Sequence, residues 1–307
     1  MHTTFLRFAI LLVAGTLAAH SAELDDSFQA LKDAVSKKDI ALVKKLAGET
    51  CTLARAASSA PAPTEPAEKE DWKKRIAYAR DVELYSEYAL SSAAITAEPE
   101  TTIDLVTTLE QQNPKSRYLG DAYGAYFAAL TKTGEAAKIP QVAQKALANL
   151  PDNVDLLLVM IDYNLNRKQL ALAGAQAERL LVAIRKHTKP EGMSAADWER
   201  RKTLALARGS WVAGMAHAEK GDHMSCNKDL RVALPLVKDN PTMLASTLFY
   251  LSLANYNLGR QSLNRTQVLE AASFSEQASK IPGPYQQQAW SNTSLMRNEA
   301  DRMLGRR

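Results

Sequence analysis

Apolar residues recur in steps of three and four along most of this chain, the spacing of one face of an α-helix. The stretch Pro151–His187 shows the pattern well. Val154–Leu165 predicts one helix and the rest of the stretch a second, each with an apolar face and a tight turn between them. A lone hairpin of this kind cannot bury both faces, so it requires neighbours of its own type. The same rhythm predicts a pair over Leu24–Asp39 and Ile40–Ala57, and another over Asp71–Ala97 and Thr101–Gln112. Tyr118–Thr131 pairs with Ile139–Leu150, Ala195–Lys220 with His223–Val237, and Met243–Leu258 with Thr266–Lys280. Tyr285–Leu304 stands last and alone, rich in Gln, Asn and Arg. No stretch alternates with the period of a strand.

Interruptions in the rhythm set the expected boundaries. Residues 59–70 carry Pro61, Pro63 and Pro66 among Ala, Ser, Thr and Glu, a composition that blocks helix and predicts a linker. It is expected to separate an N-terminal hairpin, residues 23–58, from a main body over 71–283, with a capping helix over 284–307. Phe8–Ala19 is an apolar run of 12, too short for a stable membrane span. It comes after a single cation, Arg7, and precedes Ala19-His20-Ser21-Ala22, the layout of a cleavable secretory signal over residues 1–22. Export to a periplasmic or extracellular location is the expectation.

Composition agrees with helices: 46% apolar, with 13 Gly and 12 Pro in 307 residues. The net charge is +4, and acidic residues interleave with every basic cluster, which argues against a nucleic-acid partner. An oxidising compartment would permit disulfides. Cys51 and Cys226 fall in different hairpins, however, and are expected as free, buried thiols.

Helix stops recur at Pro114, Pro151, Pro190, Pro241 and Pro282, a spacing that suits repeats of two helices. Gly214 precedes Gly221 by seven, and Cys226, Leu230 and Ala233 come next at four-three spacing. Leu251-Ser252 with Gly259, then Ala271, Ser275 and Ala278, keep the same order with about seven residues inserted at the turn. Ala173, Ala177 and Leu180, and before them Gly134, Ala143, Ala146 and Pro151, give weaker copies. Over about residues 71–282 the chain resembles the tetratricopeptide repeat family. The resemblance implies an all-α fold, an α-solenoid of antiparallel hairpins wound as a right-handed superhelix, with a ligand groove lined by the first helix of each hairpin. Carried over by position, that groove would present Lys132, Asp162, Asn166, Trp211, Phe249, Tyr256 and Asn257. It lacks the paired Lys and Asn that some members use to hold a peptide carboxylate.

No nucleophile motif, phosphate loop or dinucleotide fingerprint is present. His217, His223 and Cys226 are the best metal candidates, yet no fourth ligand accompanies them. No metal, cofactor or catalytic residue is expected. The leading expectation is a non-enzymatic scaffold that binds another protein or a peptide. The alternatives are a helical-repeat enzyme and an oligomeric structural component of a cell envelope. Asn264-Arg265-Thr266 and Asn292-Thr293-Ser294 match a glycosylation pattern.

Overall fold

The computed structural model describes residues 22–189 and 194–304. The expected signal segment and the stop at Pro190 lie outside them. Among the described residues there are thirteen α-helices and no strand, so the chain is all-α. It divides into two compact units at Ile139/Pro140.

The first unit holds α1 (22–37), α2 (Ile40–Ser58), α3 (Lys69–Thr96), α4 (Pro99–Gln112) and α5 (Leu119–Lys132). The linker does not detach the first hairpin from the second. Leu24, Ala54, Ala79 and Val82 bury one another where α1 and α2 meet α3. Trp72 donates its indole N–H to the Ala60 carbonyl at 3.0 Å, which pins the linker to the start of α3.

The second unit holds α6 (Ile139–Ala146), α7 (Val154–Asn166), α8 (Leu170–Lys186) and α9 (Ala195–Glu219). It continues with α10 (His223–Ala233), α11 (Pro241–Gln261), α12 (Arg265–Ser279) and α13 (Gln286–Arg302). From α7 onward each helix packs on the next, and α7, α9 and α11 also touch in series. The core is mostly Ala and Leu: Ala173, Ala177, Leu180, Leu230 and Ala271 are fully buried.

One turn geometry recurs. Lys38, Gly134, Lys168, Gly221 and Leu263 each hold a positive φ between a first and a second helix. In each case the next residue's N–H reaches back to a carbonyl five residues earlier, as in Gln169 to Asn164 at 2.9 Å and Asp222 to His217 at 2.9 Å. That satisfies the last open carbonyls of the first helix. In three of the five the next residue, Asp39, Asp222 or Asn264, also caps the second helix with its side chain.

Two sequence expectations shift here. Pro241 opens α11 instead of ending the previous pair, because proline suits a first helical position whose N–H has no partner anyway. Gly259 is not a turn residue. It is buried inside α11, and the turn lies at Ser262–Asn264, so the supposed insertion is extra helix. A Cβ on Gly259 would come within 2.9 Å of Val268 on α12. Gly214 makes the same allowance for Leu230, at 2.5 Å.

Gly174 works between hairpins: a Cβ there would lie 2.4 Å from the Cβ of Ala216 on α9. Neither group could rotate away, so the helices would have to separate. Gly174→Ala should therefore lower stability by about 1–3 kcal/mol through overpacking, despite the better helix propensity of Ala. Urea unfolding checks this, and an increase in stability would refute the packing argument.

Candidate functional site

The seven residues placed in a groove from sequence divide into several roles. Lys132 is exposed at the end of α5, in the first unit. Asp162 and Asn166 are exposed on α7, as expected. Phe249 is not a surface residue. It is 5% exposed, and its ring meets Tyr250 at 5.4 Å and Tyr285 at 4.8 Å. Tyr256 packs on the cluster of Val268, Ala271, Ala272, Met296 and Ala300 between α12 and α13. Asn257 spends its amide on the Leu253 carbonyl of its own helix, at 2.9 Å. Trp211 is half-buried against two core clusters. Burial won at these positions because consecutive first helices touch, so a large ring between them is covered by its neighbour.

The structure instead ties the first helices of the second unit together. Arg201 on α9 pairs with Asp155 on α7 at 2.5 Å, and Arg208, two turns on, pairs with Asp162. The Arg208 guanidinium lies 4.8 Å from the Trp211 ring, and the Trp211 indole N–H donates to Ser246 on α11 at 2.8 Å. Asp162 and Trp211 are thus members of one chain of contacts across α7, α9 and α11. Each exposed ion pair is worth at most about 1 kcal/mol, so the chain acts mainly to fix register.

The first unit carries a different surface, which the sequence reading missed. Phe28 on α1 meets Tyr78 at 6.3 Å and Tyr85 at 5.2 Å on α3, both edge to face. Tyr85 meets Tyr88 at 5.8 Å, and Tyr88 meets Tyr118, just before α5, at 5.6 Å. Five rings therefore form a ladder over the first helices of three consecutive hairpins. Tyr78 is 40% exposed and Tyr88 43%. Two cations lie against its rings: the Lys32 ammonium 4.6 Å from the Phe28 ring, and the Arg117 guanidinium 4.8 Å from the Tyr118 ring, to whose hydroxyl it donates at 2.7 Å. The Tyr78 hydroxyl donates to Asp25 at 2.6 Å, and burial together with that bond pushes its pKa up to about 12. The sequence signal was the spacing of Tyr78, Tyr85 and Tyr88 at seven and three, one face of one helix.

Among the described residues, ionisable groups gather at two further places. An open cleft of about 780 Å³ between α1 and α2 is lined by Glu23, Asp26 and Glu49 at its rim and by Leu46 and Leu53 within. His217 is held by three carboxylates: its Nε2 is 3.6 Å from Glu178 and 3.5 Å from Asp229, and its Nδ1 is 3.7 Å from Asp222. Burial raises the Asp229 carboxyl above its ordinary range, and His217 opposes that rise. Cys226 points away into the core, with its Sγ 3.9 Å from the Tyr250 carbonyl. Among the described residues no group of three His, Cys, Asp or Glu could hold a metal ion. Of the two glycosylation patterns, Asn264 is exposed at a turn, whereas the Asn292 amide nitrogen is buried in α13.

Both cysteines are free and buried. Desolvation pushes the Cys51 thiol up to about 11 and the Cys226 thiol up to about 12. Neither should react with a thiol reagent at pH 8 in the native chain, and both should react in denaturant. Below the ordinary thiol pKa of 9.0 both the folded and the unfolded states are protonated. Above it the unfolded chain ionises first, so stability falls as the pH rises from about 9 towards 12. Urea midpoints across that range check the slope. The same measurement separates packing residues from surface ones: Phe249→Ala should cost about 3–5 kcal/mol, and Asn166→Ala no more than about 0.5 kcal/mol.

No family model and no curated protein matches the sequence. A solved structure described as a computationally designed self-assembling cyclic homooligomer overlaps 94% of this chain and 96% of its own, at 12% identity and a TM-score of 0.22. That likeness is too slight to bear on fold or function.

Proposed function

We propose that the protein is an exported, tetratricopeptide-like repeat scaffold that holds a protein or peptide partner across the first helices of its hairpins. The aromatic ladder of the first unit carries this reading. Contiguous Tyr and Phe rings supply large, rigid contact area at low entropic cost and are productive anchors at interfaces. Phe28, Tyr78, Tyr85, Tyr88 and Tyr118 come from three hairpins, so a partner laid over them would read the stacking of the repeats as well as the side chains. Among the described residues no helix is long and apolar enough to cross a membrane.

A photo-crosslinking amino acid in place of Tyr88 should give a discrete adduct in the native cell. An equivalent group in place of Leu172, exposed on α8, should not. Tyr78→Ala with Tyr118→Ala should abolish the Tyr88 adduct while circular dichroism stays unchanged. Equal adducts at both positions, or an adduct indifferent to the ring substitutions, would sink the reading. N-terminal sequencing of the protein from its own cell tests export separately: the mature chain should begin at Ala22 or Glu23.

A further inference from the structure

We propose that the outward face of the first hairpin, α1 with α2, is a two-fold interface with a second copy of this chain. The proposal stands apart from the aromatic ladder and holds whatever the ladder binds. Contacts fix how α2 is turned. Lys44 pairs with Asp104 on α4 at 2.7 Å, and Arg55 with Glu83 on α3 at 2.7 Å, so one face looks to the next hairpin. Thr50 meets Ser27 at 2.7 Å, so a second face looks to α1. Leu42, Leu46 and Leu53 fall about half a turn round the helix from Lys44. They make a leucine stripe turned away from the next hairpin. Leu42 is 39% exposed, Leu46 is half-buried, and Leu53 is half-buried at the edge of the Leu24 cluster. The open cleft lined by Leu46 and Leu53 lies on this side.

The last helix ends the chain differently. It buries Ala289, Thr293, Met296 and Ala300, and turns Gln287, Ser291, Ser294 and Asn298 the opposite way. That is the polar outer face a terminal repeat requires. The first hairpin carries leucines at the corresponding place, so its outer face needs a cover. Two helices about 25 Å long and about 10 Å wide give a face of about 500 Å², and two copies would bury about 1,000 Å². That area suits a reversible dimer with a Kd of about 10 μM.

Charge selects the occupant. Away from the turn of the hairpin the face is acidic, with Glu23 and Asp26 on α1 and Glu49 on α2 at the cleft rim. Towards the turn it is basic, with Lys37, Lys38 and Lys45. Asp26 and Lys37 lie about three turns apart on one face of α1. Neither they nor Glu23 make an ion pair among the described residues. Glu49 reaches Lys45 only at 3.9 Å, with both exposed. Asp33, between the two ends, already accepts from Gln29 at 2.8 Å. A two-fold axis across the helices runs each α1 antiparallel to its copy. That lays the acidic end of one face on the basic end of the other, and leucines on leucines. A partner of one charge sign throughout would match one end and be repelled by the other.

Sedimentation equilibrium of the chain purified from its own cell tests this. The average mass should rise from monomer towards dimer between about 1 μM and about 100 μM. Leu42→Lys should weaken the dimer by about tenfold or more, with circular dichroism unchanged. Asp26→Lys and Lys37→Glu should each weaken it several-fold. An equimolar mixture of those two variants should recover it, because both charge contacts of the mixed dimer are then complementary. A monomer across the whole range, a dimer indifferent to Leu42→Lys, or no recovery on mixing would overturn the proposal. A photo-crosslinking amino acid in place of Leu42 should join the first hairpin of a second copy in the native cell. Capture of a different protein, or of residues 1–21 of the same chain, would assign the face to that occupant and overturn the proposal as well.

Discussion

Five of the chain reversals are built around one residue in the left-handed region. In the second unit such a turn sets the second helix directly back against the first, as in α7 with α8, α9 with α10 and α11 with α12. Side chains near the turn then face each other at close range. Gly214 opposite Leu230, and Gly259 opposite Val268, are the responses to that constraint. The Ala-rich second helices are another, since small buried residues such as Ala173 and Ala271 let the next hairpin settle close by. Polar groups trapped between helices must then find partners locally. Asn255, fully buried, does so with the Leu251 carbonyl and with Asn227.

Most of the helical outline was legible in the sequence, because a buried stripe repeats every three or four residues whatever it packs against. Ends were harder where one residue type serves two purposes. Pro241 looks like a stop and acts as a start; Gly259 looks like a turn and acts as a contact. Both ambiguities are resolved by residues on another helix or across the cap, such as Val268 and Asn240, which no local pattern displays. The site was less legible still. Phe249 and Trp211 were placed on a surface by analogy of position, but exposure depends on whether the adjacent helix covers them. Tyr78, Tyr85 and Tyr88 could be seen to share a face. Phe28 and Tyr118, which extend them into a ladder, lie in separate helical segments and join only when the first helices stack.

The two units use their first helices differently. In the second, charges and Trp211 lock neighbours together across α7, α9 and α11, and the rings contribute to the core. In the first, Tyr123 and Tyr126 are buried on α5, but Tyr78 and Tyr88 stay partly in water and bridge neighbours through the other rings of the ladder. Aromatic side chains left in that state keep apolar surface in water, which a partner can cover on contact.

The five reversals also differ in backbone strain. Gly134 and Gly221 occupy the left-handed region without steric conflict, whereas Lys38, Lys168 and Leu263 hold it against their own Cβ atoms. A conformation of this kind costs an ordinary residue about 1–2 kcal/mol. Three of the joints therefore operate under tension, and Leu263 is 71% exposed as well. Glycine or asparagine at these three positions would lower that cost, so the fold admits a more stable sequence than this one.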